Sequence, residues 1–266
     1  MTDEDRYQTA ARYLLRAHDR REAFDALPEG LAPRTVEDAY AIQTAFRDLR
    51  LAKLGAIVGH KVALTSLVMQ KMVGFDSPFS GPLHASIIHA SGAALANSDY
   101  IHLGIECELA ARLGDDLPAR GAPYTRAQIA QAVDVLMPAF ELVDDRHADY
   151  GKISSLILTL IADNAWNGGI VLGAPVRDWR ALDLAAIRGT LTINDATVGE
   201  GSGRDVLGHP FDALAWLVNS LARGGTGMKS GMVVMTGSMI ATKFVNAGDR
   251  VEFRVEGLGE VRASVG

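Results

Sequence analysis

Hydrophobic positions recur at helical spacing early in the chain and give way to short apolar runs from Ile57 onward. Ala10, Tyr13, Leu14 and Ala17 share one helical face among Arg and Asp residues. After the break at 30–33, Thr35 and Asp38 read as a capping pair. Ala39, Ile42, Ala45, Phe46 and Leu49 then follow one face until Gly55 ends the helix. The pattern predicts a helical N-terminal arm over residues 1–55, packed on a second unit over 56–266.

Beyond the arm, glycines punctuate shorter elements. Residues 106–112 (ECELAAR) alternate at first, as a strand does. Asp115 and Asp116 before Leu117 and Pro118 mark a turn. Thr125 and Gln128 form a capping box for a helix over 129–137, which Pro138 stops. A short strand is expected at 139–143 and another at 169–172. The run 154–162 is mostly apolar, and its periodicity leaves helix and strand open. Strands at 191–194 and 197–200 flank a hairpin turn at Asp195 and Ala196. Pro210 opens a helix that continues over 211–222 to Gly224 and Gly225. Strands at 232–236, 250–255 and 260–265 close the chain. No repeat, linker or low-complexity tract interrupts it.

Composition narrows the class. With 266 residues, 48% apolar and 22% charged, the chain can build a large core and is not disordered. Its formal charge of −6, without a basic block, argues against nucleic acid as a partner. Cys107 is the single cysteine, which excludes an intrachain disulfide and a C-x-x-C site and favours a reducing compartment. The start, MTDEDRYQTA, is too polar for a secretory leader, and the apolar run 155–162 falls short of the ~18 residues of a membrane span. The expectation is a soluble, cytoplasmic protein with no membrane partner.

Glu106, Glu108 and Glu141 carry the most chemistry. On a strand, residues i and i+2 share a face, so Glu106 and Glu108 point together and Cys107 points away. Glu141 interrupts the apolar run 138–143, where an unpaired carboxylate is costly to bury. Three converging carboxylates suit Mg²⁺ or Mn²⁺, hard ions that prefer oxygen. Spacing alone also allows a solvated face for the first pair and an ion pair between Glu141 and Arg146. Lys61, in GHKVALTS (59–66), could bind a substrate carboxylate or move a proton, or be an ordinary lysine on an edge strand. The glycine-rich segment 199–210 before a helix could cradle an anion or simply end a hairpin. Thr236, Gly237 and Ser238 read as a turn at a strand end, a place that often serves a ligand carboxylate.

Taken in order, GHKVALTS (59–66), 81–83, IECELA (105–110), PAFELVDDR (138–146), ADNA (162–165), LGHP (207–210), AWL (215–217) and TGS (236–238) resemble the fumarylacetoacetate hydrolase superfamily. They look most like its branch of 2-oxopent-4-enoate hydratases and 4-oxalocrotonate decarboxylases. The resemblance implies an α+β fold, a mixed β-sheet roll with an N-terminal helical arm. It implies Mg²⁺ or Mn²⁺ on Glu106, Glu108 and Glu141, with Lys61 as the proton-transfer residue. Thr65, Ser66, Thr236, Gly237 and Ser238 become candidates for substrate binding; Asp163 and Asn164 match a family motif without an assigned role.

The implied reaction is hydration of a 2-hydroxy-2,4-dienoate to a 4-hydroxy-2-oxo acid through a metal-stabilised enolate. Decarboxylation of a 2-oxo-enedioate and C–C hydrolysis of an acylpyruvate are the alternatives. The expected partners are a small 2-oxo or 2-hydroxy-dienoic acid, further copies of the chain, and a related decarboxylase or hydratase. A non-catalytic scaffold would tolerate loss of Lys61 and of one glutamate, and the chain keeps both. One departure stands out: the family's P-D-(Y/F)-G appears as Pro78-Phe79-Ser80-Gly81, which replaces an acid by Phe79. His60 and His84 are nearby candidates for a substitute acid or base.

Overall fold

In the computed structural model, which describes residues 2–266, Thr2 caps α1 (Asp3–Asp19) through a reciprocal pair of hydrogen bonds with Asp5. Thr35 caps α2 (Val36–Leu54), accepting the Asp38 amide at 3.1 Å, and Gly55 ends it at φ 78°. The two helices are tied at Asp38, which takes Tyr7 Oη at 2.5 Å and Arg6 Nη2 at 2.8 Å. Their apolar faces, with Leu14, Ile42 and Phe46, pack against Leu160 and Ile161 of α5 (Ile153–Ala162). The apolar run left open by periodicity is therefore a helix, buried between the arm and the sheet.

The remaining helices are α3 (Leu67–Val73), α4 (Arg126–Ala132) and α6 (Pro210–Arg223). One sheet has seven strands: β1 (Ile57–Ala63), β2 (Phe79–His84), β3 (Ile88–Ala90), β5 (Leu103–Leu113), β6 (Val133–Asp144), β7 (Asn167–Leu172) and β10 (Val233–Phe244). The second has five: β4 (Ala93–Leu95), β8 (Arg188–Ile193), β9 (Ala196–Ser202), β11 (Arg250–Val255) and β12 (Gly259–Val265). The larger sheet runs in the order β2-β1-β10-β5-β6-β7-β3. Its edge strands β2 and β3 are joined by the short turn Ala85–Ile87, and three residues span little more than about 10 Å. The sheet must therefore curl until its edges approach.

Alternation divides the side chains between the two faces of this roll. Leu83, Ala110, Met137, Ala139, Ile170 and Met235 fill the inside. Cys107, Leu109 and Phe140 project the other way, onto Phe253 and Val261 of the second sheet and Phe211 of α6. Each such large side chain removed from water contributes roughly 2 kcal/mol. The mixed α+β roll with N-terminal helices is the architecture that the sequence led us to expect.

Three local readings need correction. The helix expected over 129–137 ends at Ala132, and the chain passes straight into β6, so Pro138 lies inside a strand rather than at a helix end. Pro138 can sit there because its carbonyl accepts Gly173 N at 2.8 Å, just past the end of β7. Its ring nitrogen faces that same side, away from β5, so the ladder with β5 loses no donor. The strand expected at 139–143 is correspondingly longer. The hairpin turn is Asn194-Asp195, at φ 51° and 67°, one residue earlier than expected; two positive φ values suit the twist of a two-residue hairpin. The 199–210 segment is strand β9 followed by a tight turn, and His209 Nδ1 takes the Phe211 amide at 3.0 Å. The start of α6 thus has a donor already matched by its own chain.

Candidate metal centre

Four strands bring the site together. Glu106 and Glu108 project from β5 on one face, and Glu141 of β6 stands directly opposite Glu106 in the ladder. Glu108 pairs with Ser238 of β10, and Lys61 of β1 pairs with Met235 of β10. One oxygen from each of the three carboxylates lies within 4.8 Å of the others. Glu108 and Glu141 are buried and Glu106 is half-buried.

Each carboxylate has one oxygen held by a neutral donor. Gly237 N donates to Glu108 Oε2 at 2.7 Å, Thr242 Oγ1 to Glu106 Oε1 at 2.7 Å, and Asn167 Nδ2 to Glu141 Oε1 at 2.8 Å. Lys61 is buried, not on an edge strand, and its Nζ lies 3.3 Å from Glu141 Oε1 while donating to Ala165 O at 3.1 Å. Glu108 Oε1 is buried with no partner.

Burial, and then the neighbouring carboxylates, push Glu106 up and Glu108 well up from the ordinary carboxylate range. When all are ionised, three carboxylates and one ammonium leave two negative charges. Oxygen donors, an unpartnered buried oxygen and that charge fit a hard divalent cation. Arg146, the alternative partner considered for Glu141, instead pairs with Asp163 at 3.2 Å.

The segment expected to turn at 236–238 lies within β10 as a bulge, where the ladder with β5 shifts register. Gly237 sits at φ 108°, and a Cβ there would fall 2.1 Å from Thr65 Oγ1. Thr65 therefore packs on the glycine whose amide holds Glu108. Thr236 is fully buried and donates to Leu109 O at 2.9 Å, while Ser238 Oγ accepts Cys107 N at 3.1 Å. Both hydroxyls are engaged within the sheet. Ser66 precedes α3 and makes no capping bond. Leu207 N of the LGHP segment donates to Thr65 O at 3.0 Å, which buttresses the same loop.

His60 and His84 do not join the centre. Each follows or precedes a residue on the Lys61 side of its strand, so alternation turns both away. His84 Nδ1 is spent on Gly55 O at 3.0 Å. Phe79 is 2% exposed and meets Phe75 edge-on, with ring centroids 6.3 Å apart.

Residues not singled out in the sequence complete the arrangement: Thr242, Asn167 and the carbonyl of Ala165. Asn164, which the sequence marked as part of a family motif without a role, joins them. Its Nδ2 donates to Pro82 O at 3.2 Å, and its Oδ1 lies where a Cβ on Gly81 would be, at 1.7 Å. The asparagines of ADNAWN were a visible signal, because asparagine accepts left-handed backbone. Nothing in sequence marks a main-chain carbonyl as a ligand.

The family model for the fumarylacetoacetate (FAA) hydrolase C-terminal domain matches residues 59–266. A 2-keto-4-pentenoate hydratase of Paraburkholderia phymatum is 33% identical, over 99% of each chain. A 2-hydroxyhexa-2,4-dienoate hydratase of Comamonas testosteroni is 35% identical, over 97% of each. Among solved structures, 4-oxalocrotonate decarboxylase from Pseudomonas putida G7, complexed with magnesium and adipate, has a TM-score of 0.89 at 28% identity. That match covers 100% of this chain and 98% of the other.

Proposed function

This chain belongs to the fumarylacetoacetate hydrolase C-terminal family, and from that premise we propose that it is a divalent-metal-dependent lyase, a hydratase of 2-hydroxy-2,4-dienoates. The observation that carries this reading is the buried group of Glu106, Glu108 and Glu141, with Lys61 3.3 Å from Glu141. Two hydratases that match almost end to end support it.

Glu106, Glu108 and Glu141 would hold Mg²⁺ or Mn²⁺, and the ion would supply Lewis-acid stabilisation of negative charge on the C2 oxygen of a 2-oxo acid. The chain's own groups do the rest. Lys61 carries the protons of ketonisation and hydration, since Phe79 has no proton to give and His60 and His84 face elsewhere. Ketonising the dienol moves a proton to C5 and yields a conjugated enone acid. Water then adds at C4 with a proton at C3, giving the 4-hydroxy-2-oxo acid. Thr65, Ser66 and the backbone of Thr236, Gly237 and Ser238 form the wall for the substrate carboxylate. Burial of Lys61 and Glu141 keeps bulk water from the proton path.

Among the described residues no helix is long and apolar enough to cross a membrane. The reading extends to a cytoplasmic homo-oligomer, supported by the single buried cysteine and by Leu67, Val68 and Met72 exposed on α3. A 2-oxo-enedioate decarboxylase is the second reading, favoured by the full-length likeness to 4-oxalocrotonate decarboxylase. Proton NMR separates the two. Conversion of 2-hydroxypenta-2,4-dienoate to 4-hydroxy-2-oxopentanoate establishes the hydratase. An inert dienoate, with loss of carbon dioxide from 2-oxohex-3-enedioate, establishes the decarboxylase.

A further inference from the structure

The contacts that end at Lys61 begin in the N-terminal arm, outside residues 59–266 of the family match. Asp163 ends α5, and Asn164, Ala165 and Trp166 after it all adopt left-handed backbone, at φ 64°, 48° and 59°. Asparagine tolerates this conformation, but Ala165 and Trp166 adopt it only at a cost in backbone strain. Such a run persists only where its surroundings hold it.

The arm does the holding. His18 of α1 reaches Asp163 Oδ1 with Nε2 at 2.8 Å, and Arg146 Nη2 meets the same oxygen at 3.2 Å. A carboxylate can only accept, so His18 Nε2 carries the proton. Burial alone would raise the Asp163 carboxyl, but Arg146 and then His18 outweigh it and hold it below its ordinary range. Gln43 of α2 is buried and donates to Ile161 O at 2.8 Å and Ser80 O at 2.9 Å, pinning the last turn of α5 to β2. On its far side the turn serves the metal centre. Ala165 O accepts Lys61 Nζ at 3.1 Å, and Asn167, immediately after the turn, donates to Glu141.

We infer that His18 is a positioning residue for the metal centre: with Gln43, it holds the turn 164–166 left-handed, and that turn holds Lys61 against Glu141. The arm is thus part of the active site rather than a separate appendage. The inference rests on the functional reading above for its kinetic consequence, though not for its structural one.

Two variants test it in the full-length protein. His18→Leu keeps an apolar contact with Phe46, whose ring centroid is 5.1 Å from the imidazole, but removes the donor to Asp163. His18→Gln returns a donor. The readout independent of activity is hydrogen exchange at the Asn164 and Ala165 amides, which bond Ile161 O at 3.1 Å and Leu160 O at 2.9 Å. His18→Leu is expected to speed that exchange and lower kcat by about 10- to 100-fold, with KM and magnesium affinity within about twofold, as a displaced catalytic group requires. His18→Gln is expected to restore both. Unchanged exchange and kcat in His18→Leu would overturn the inference, as would equal damage in both variants with a global loss of stability. Wild-type protein inert towards the dienoate would refute the functional reading instead, and the exchange data would still decide the role of His18.

Discussion

Lys61 Nζ lies 3.3 Å from Glu141 Oε1, with the two side chains only 3% and 1% exposed. Removing one member of a buried pair leaves the other charge without its partner. Lys61→Met is therefore expected to lower turnover by at least ~100-fold, the scale of a lost proton carrier, and to lower the melting temperature of the metal-free protein. Turnover and thermal unfolding of the variant check both. Wild-type turnover in Lys61→Met would remove the lysine from the mechanism.

Glu106 and Glu108 are raised by burial and then by their carboxylate neighbours, so they retain protons in the metal-free protein to higher pH than ordinary carboxyls. A cation must displace those protons. Magnesium affinity is expected to go on rising with pH above the range where ordinary carboxyls have already lost their protons, with proton release on binding. Calorimetry in buffers of different ionisation enthalpy measures this directly. Affinity independent of pH, with no proton released, would contradict the electrostatic account.

Gly237→Ala is expected to destabilise the protein by about 1–3 kcal/mol through its left-handed backbone alone. It should also weaken metal binding, because the new Cβ would press on Thr65 and shift the amide that holds Glu108. Chemical denaturation and a magnesium titration report the two effects separately. A variant as stable as the parent would show that the bulge can relax.

His60 supplies a pH test away from the centre. Burial first, and Arg47 second, push its imidazole down from 6.5 to about 4. Between those values the unfolded chain binds a proton that the folded chain refuses. Its contribution to stability is therefore present above about pH 6.5 and lost as pH falls towards about 4. The His60 ring proton followed by NMR should titrate near the lower value; a midpoint near 6.5 would mean that the ring is solvated.

The parts of the site that could be read from sequence are those set by local periodicity. The E-x-E spacing put Glu106 and Glu108 on one face, and Glu141 stood out as a carboxylate in an apolar run. The capping signals of Thr35 and Thr125 located two helix starts. Pro138 misled because a proline stops a helix from sequence alone, whereas in a strand its fate depends on which neighbour its nitrogen faces. The bulge at Gly237 looked like a turn because both need a positive φ. His18, Gln43 and the Ala165 carbonyl were illegible, since their roles depend on contacts across up to 145 residues and on a main-chain acceptor.

We propose that Glu106, Glu108 and Glu141 form a metal centre that drives hydration. Its most direct test is a magnesium titration of chelator-stripped protein, with turnover of 2-hydroxypenta-2,4-dienoate followed by proton NMR in the wild type and in Glu108→Gln. Turnover is expected to be absent without metal and to rise with occupancy of one site. The Glu108→Gln protein is expected to fold, to bind magnesium weakly and to stay inactive. Full turnover by stripped wild-type protein, or undiminished turnover in Glu108→Gln, would contradict it.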